Sequence, residues 1–115
     1  MLNRKYRATR IDIESTIKTG ITLSGNVLCG KISRNNGEKA TFAIIVSKKV
    51  EKTSVGRHLV KRKISAFLEV NLDSMNKDFK KTIVFFVKNN KTANFFMQAE
   101  KDLKEILVKA GFFER

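Results

Sequence analysis

The residues best suited to chemistry in this chain are cations crowded between positions 48 and 63. Lys48, Lys49, Lys52, Arg57, Lys61, Arg62 and Lys63 share that span with one acid, Glu51. A guanidinium is a planar fork that matches phosphate oxygens, and an ammonium is a mobile point charge. Set together on one helix and the turn before it, they can grip several phosphates. His58 and Ser47 add donors to the same stretch, and His58 could also stack on a base. A solvated cationic face is the plain alternative. The clustering of Arg57, His58, Lys61, Arg62 and Ser65 on one helical arc argues against it.

Catalytic chemistry finds little support. The chain holds no HExxH, GxSxG, Walker or dinucleotide-binding motif. His58 has no carboxylate near it in sequence to orient it as a general base. Cys29 is the only cysteine, which excludes an internal disulfide and a zinc site built on several cysteines. It lies in an apolar run and reads as a buried, inert thiol. Glu100 with Lys104, and Asp102 with Glu105, read as ordinary helix-surface charge. No catalytic residue, no metal site and no small-molecule substrate are expected.

Charge over the whole chain points the same way. Its 115 residues carry a net charge of +13, with an isoelectric point near 10.2. Self-repulsion on that scale disfavours a compact state unless a polyanion offsets it. Nucleic acid and an anionic membrane surface both qualify, whereas a solvated lysine excess would have no partner at all. No apolar run approaches the roughly 20 residues that span a bilayer. The opening MLNRKYRATR is basic but lacks the apolar core of a secretory signal, so a cytoplasmic protein is expected.

Elements that could position the cations follow from periodicity. Residues 1–9, with Arg4, Lys5 and Arg7, read as a mobile basic arm continuing to Arg10. Ile11, Ile13 and Ile17 allow a short helix over 10–19, stopped by Gly20. Leu23 to Ile32 reads as one strand, with Gly25 and Gly30 marking bulges or close backbone approach. Asn36-Gly37 signals a hairpin. The unbroken apolar run from Phe42 to Val46 then reads as the partner strand, central and covered on both faces. A helix follows from an N-cap at Ser54 to about Val70, with Val60, Ile64, Phe67 and Leu68 on its core arc. Lys80 to Val87 is a further strand, parallel to the 42–46 strand because a helix joins them. Thr92 to Ala110 forms the last helix, stopped by Gly111. Phe85, Phe86, Phe95 and Phe96 read as core, and Phe112 and Phe113 as its cap. The fold class is α+β: a single-domain two-layer sandwich over residues 1–115, in the order α-β-β-α-β-α, with a small mixed sheet.

The 42–68 stretch resembles the protein subunit of bacterial ribonuclease P. Val46-Ser47-Lys48-Lys49 matches that family's V-S-K-K turn. Arg57-His58-Leu59-Val60-Lys61-Arg62 matches its R-N-R-x-K-R signature at Arg57, Lys61 and Arg62. His58 replaces the Asn and Leu59 the second Arg, which removes one phosphate contact. About one extra residue is needed within 51–53. The resemblance implies a left-handed βαβ crossover of the ribosomal S5 domain 2-like type. It also implies a role in removing the 5′ leader of precursor tRNA, with catalysis and Mg²⁺ belonging to the RNA. The implied partners are ribonuclease P RNA, docked through Ser47, Lys48, Lys49, Arg57, His58, Lys61 and Arg62, and the precursor's single-stranded leader. That leader would lie between the first helix and the sheet, at Ile13, Ile17 and Lys31. The family has aromatics there, so this chain is expected to grip the leader weakly. A structural RNA-binding module without a role in cleavage is the alternative function.

Overall fold

The computed structural model describes residues 6–35, 40–72, 80–88 and 94–111. In chain order the elements are α1 (Arg10–Thr19), β1 (Ile21–Ser24), β2 (Leu28–Arg34), β3 (Thr41–Ile45), α2 (Ser54–Leu72), β4 (Lys81–Val87) and α3 (Phe95–Lys109). The four strands form one mixed sheet in the order β1-β2-β4-β3. β4 runs antiparallel to β2 and parallel to β3, so β3-α2-β4 is the expected parallel crossover. The α+β sandwich stands, with one more strand than the sequence reading allowed.

That extra strand comes from residues 21–34, which form a hairpin rather than a single bulged strand. Ile21 pairs with Ile32 and Ser24 with Cys29. Gly25 sits in the turn, where a β-carbon would lie 2.7 Å from the Asp102 carboxyl carbon. β2 and β3 do not pair with each other, because β4 lies between them. Asn36-Gly37 lies outside the described residues. The 42–46 run is also not central: β3 is an edge strand, and β4 is the strand buried on both faces.

Side chains alternate across the pleat, so the register sorts the two faces. Gly30, Phe85 and Ile44 form one cross-strand row. It faces α3, since a β-carbon on Gly30 would lie 3.1 Å from Ile106 Cγ2. The core gathers there: Leu28, Phe42, Ile64, Leu68, Ile83, Phe85, Leu103 and Leu107 are buried. Burying such side chains contributes about 1.5–3 kcal/mol each. The opposite row, Ser33, Thr82 and Thr41, faces α1, whose Thr16 Oγ1 is 2.7 Å from Ser33 Oγ.

Three further expectations change. The basic arm is fixed at its inner end: Tyr6 is buried in the core, Arg7 bridges to Phe42, and the Ala8 N–H donates to Phe42 O at 2.9 Å. Arg4 and Lys5 lie outside the described residues. The N-cap of α2 is Thr53, not Ser54, since Thr53 Oγ1 accepts from the Gly56 N–H at 3.0 Å. Asp102 is not surface charge but 1% exposed. Its Oδ2 accepts from the Val27 N–H at 2.7 Å and the Leu28 N–H at 3.2 Å, and Oδ1 accepts from Gln98 Nε2 at 3.0 Å.

Burial pushes the Asp102 carboxyl up, but these donors outweigh it and hold the group below its usual range. Above about pH 5 the carboxylate is ionised in both folded and unfolded chains, and its stabilisation is complete. As pH falls from there toward the lowered folded value, only the unfolded state takes up the proton, and stability is lost. Asp102→Asn is therefore expected to melt below the parent at pH 7. The gap should narrow as pH drops through the carboxylate range, as read by denaturant melts at several pH values.

Candidate nucleic-acid interface

Val46 is buried and anchors the turn that follows β3. The Ser47 carbonyl accepts from the Val50 and Glu51 N–H groups, both at 3.1 Å, which folds residues 47–51 into a tight turn. Lys48 and Lys49 project from it, both exposed. The three residues before α2 are then pinned by the helix itself. Arg57 Nη1 donates to Glu51 O at 3.1 Å and Lys52 O at 2.9 Å, while Thr53 Oγ1 donates to Glu51 Oε1 at 3.2 Å. Gly56 makes this possible, because a β-carbon there would sit 2.6 Å from the Glu51 carboxyl carbon. Residues 51–53 are thus held in a hydrogen-bonded link.

Along α2, Val60, Ile64 and Leu68 are buried and Phe67 packs against them, as the core arc requires. His58, Arg62 and Lys63 are exposed, and Arg57 and Lys61 half-buried. Ser65 departs from the donor arc, being 5% exposed. Among the described residues no carboxylate pairs with Lys48, Lys49, Lys52, Lys61, Arg62 or Lys63. Lys63 Nζ instead sits 5.6 Å from the Phe96 ring centroid, joining α2 to α3. Leu59 is 55% exposed where the signature would place a second arginine.

A second surface lies where α1 crosses the sheet. Lys31 Nζ donates to the Ile17 carbonyl at 3.1 Å, so the structure brings those two candidates together at the helix C-terminus. Ile13 is half-buried on the same helix, and Ile17 is 37% exposed. Cross-strand pairing sets Cys29, Phe86 and Ile45 on the α1 side, next to the row of Lys31, Val84 and Ala43. Phe86 is only half-buried, unlike Phe85 at 0% exposure. The sequence reading placed both rings in the core. A strand apolar at every position does not reveal its alternation without the pairing register, so this aromatic was missed. Cys29 is half-buried rather than buried as expected, and that partial burial raises its thiol despite Lys88 and Lys31 nearby. Arg10 belongs to α1 rather than to an arm. It pairs with Glu14 at 3.3 Å, an exposed contact of little energy.

Among the described residues no group of three or more His, Cys, Asp or Glu side chains could hold a metal ion. No described helix is long and apolar enough to cross a membrane. A small, strongly basic α+β domain whose helix α2 presents cations without carboxylate partners among the described residues defines a nucleic-acid-binding protein.

Comparison with known proteins narrows the class. The family model described as Ribonuclease P matches residues 2–111. The ribonuclease P protein component of Clostridium kluyveri is 26% identical over 103 residues, covering 90% of this chain and 91% of that protein. The structure of a Staphylococcus aureus RNase P protein mutant with defective mRNA degradation activity shares the fold. Its TM-score is 0.76 at 23% identity, over 96% of this chain and 92% of that one. The RNase P protein from Thermotoga maritima gives 0.73 at 18% identity, over 90% and 96%. The chain belongs to the ribonuclease P protein family, whose role is the 5′ processing of tRNA.

The two arginines of the signature should separate in experiment. Arg62→Ala is expected to leave the melting temperature unchanged and lower the log–log salt slope of RNA binding by about 0.7–0.9, one phosphate's share. Arg57→Ala should weaken RNA binding and also speed amide exchange at residues 51–53, because it releases the link that Arg57 closes. Salt-dependent binding isotherms and hydrogen exchange read the two effects.

Proposed function

We propose that this chain works as the protein subunit of ribonuclease P, holding two stretches of RNA while the RNA partner performs catalysis. The Ser47–Lys49 turn and α2 dock ribonuclease P RNA, with Lys48, Lys49, His58, Lys61 and Arg62 meeting phosphates. Arg57 supports that surface chiefly by fixing the link before the helix. The cleft between α1 and the sheet takes the single-stranded 5′ leader of precursor tRNA. Ile13 and Ile17 supply apolar contact there. Lys31 holds the end of α1, and Phe86 offers one ring for a base. Mg²⁺ serves the RNA rather than any residue of this chain, and the work belongs in the cytoplasm.

The observation that carries this reading is the cluster of Lys48, Lys49, Lys52, Lys61, Arg62 and Lys63, all but Lys61 exposed, left without carboxylate partners among the described residues on a hydrogen-bonded turn and helix. A solvated surface of this charge density would be expected to acquire neighbouring acids. A phosphate backbone supplies them from outside.

Cleavage of precursor tRNA by the host's own ribonuclease P RNA at low Mg²⁺, with and without the protein, is the direct test. A large rate increase at the mature 5′ end is expected. Tight RNA binding with no stimulation would instead leave a structural RNA-binding module.

Leader contact has its own measure. With the parent protein, precursor affinity should rise as the leader is extended by its first few nucleotides. Phe86→Ala should flatten that rise by about 1–3 kcal/mol, the usual value of one base on one ring. An unchanged leader-length series would remove Phe86 from the cleft's contacts.

A further inference from the structure

His58 is the only histidine of the chain, and it stands exposed in the second turn of α2. At about 100° per residue it shares a face with Arg62, roughly 40° away, while Lys61 lies toward the core side. Neither ring nitrogen has a hydrogen-bond or ion-pair partner among the described residues. Arg57, Lys61 and Arg62 flank it on the helix, and Lys48, Lys49 and Lys52 lie in the turn and link leading in. Arg7, from the segment before α1, lines the cavity that Lys61 and Ser65 also line. β3 carries no charged residue, and α3 meets α2 on the other flank, at Lys63 and Phe96.

Glu51 is the one acid of this stretch, and it lies on the far side of the helix. Its carboxyl carbon is 2.6 Å from where a β-carbon on Gly56 would be, and its Oε1 accepts from Thr53 Oγ1. Gly56 precedes His58 by two residues, about 200° around the helix. A proton on the imidazole thus has no carboxylate to meet among the described residues, and an RNA phosphate would be its first anion.

We propose that His58 links RNA binding to protons: the imidazole takes up a proton from solvent as an RNA phosphate reaches it, so affinity rises as pH falls. Imidazole is the side chain whose charge changes between about pH 5 and 8, a range in which Arg and Lys stay charged. The signature has an uncharged Asn at this position, so the linkage belongs to a chain with histidine there. Leu59, the next residue, lacks the fixed charge of the signature's second Arg, and His58 returns one charge conditionally. The inference rests on the RNA-docking reading of α2 and adds its regulation by pH.

Binding isotherms of the full chain with ribonuclease P RNA, at several salt concentrations between about pH 5.5 and 7.5, provide the test. Parent affinity is expected to rise about three- to tenfold toward the acid end. Its log–log salt slope should steepen there by about 0.7–0.9, one phosphate's share. His58→Asn should lose both changes, and His58→Lys should keep the steep slope at every pH. Calorimetry in two buffers of different ionisation enthalpy should count proton uptake by the parent and none by His58→Asn. If either variant melts below the parent, the parent's proton count decides alone. Equal pH dependence in parent and His58→Asn, or binding without proton uptake, would overturn the linkage and leave RNA docking intact. A neutral ring stacked on a base would give that result. Failure of the parent to bind this RNA at any pH would overturn the docking reading and the linkage together.

Discussion

β4 must be buried on both faces, and the arrangement of the whole chain follows from that requirement. Ile83 and Phe85 turn toward α2 and α3, while Thr82 and Val84 turn toward α1, and all four are fully buried. A strand covered on both sides needs hydrogen-bonding neighbours at both edges, since unpaired amides cannot be left in an apolar interior. β2 and β3 supply them, one antiparallel and one parallel. The parallel partner requires a crossover, and α2 is that crossover. The cationic helix is therefore held in place by the need to satisfy a strand that it precedes.

The helix can be so basic because its two duties fall on different arcs. Val60, Ile64 and Leu68 contribute to the core, and Arg62, His58 and Lys63 stand in solvent. The turn at 47–51 is closed entirely by main-chain bonds from the Ser47 carbonyl, so Lys48 and Lys49 keep their side chains for a partner. Arg57 is the exception, with one guanidinium nitrogen bound to two backbone carbonyls. Its presence in the motif reflects the local fold as well as the ligand.

Much of this was legible in the sequence, for reasons that also explain the failures. α1, α2 and β4 were readable because helical spacing and the five-residue apolar run from Ile83 to Val87 are local signals, and the cations at 48–63 because charge density is local too. The β1–β2 turn was not, since Leu23, Val27 and Leu28 keep apolar positions coming across Gly25-Asn26 and hide the reversal. Asp102 looked like any helix-surface acid because its partners Val27 and Leu28 lie 75 and 74 residues away. β3 looked central from its composition, yet its apolar side chains are covered by α2 and by the segment at 6–8. Phe85 and Phe86 could not be told apart until the strand register assigned them to opposite faces.

The short pairing of Arg7 and Ala8 with Phe42 has a consequence for solubility. β3 is an apolar edge strand, and an open edge of that kind is a template for pairing with another chain. The opposite edge, β1, is only four residues long and carries Thr22 and Ser24, which makes it a poor template. At β3 the guard is supplied by the chain's own N-terminal segment, lying alongside Phe42 and donating to it. The segment at 6–8 thus shields part of this edge from sheet-to-sheet pairing, a hazard that positive charge would no longer oppose once neutralised by a bound polyanion.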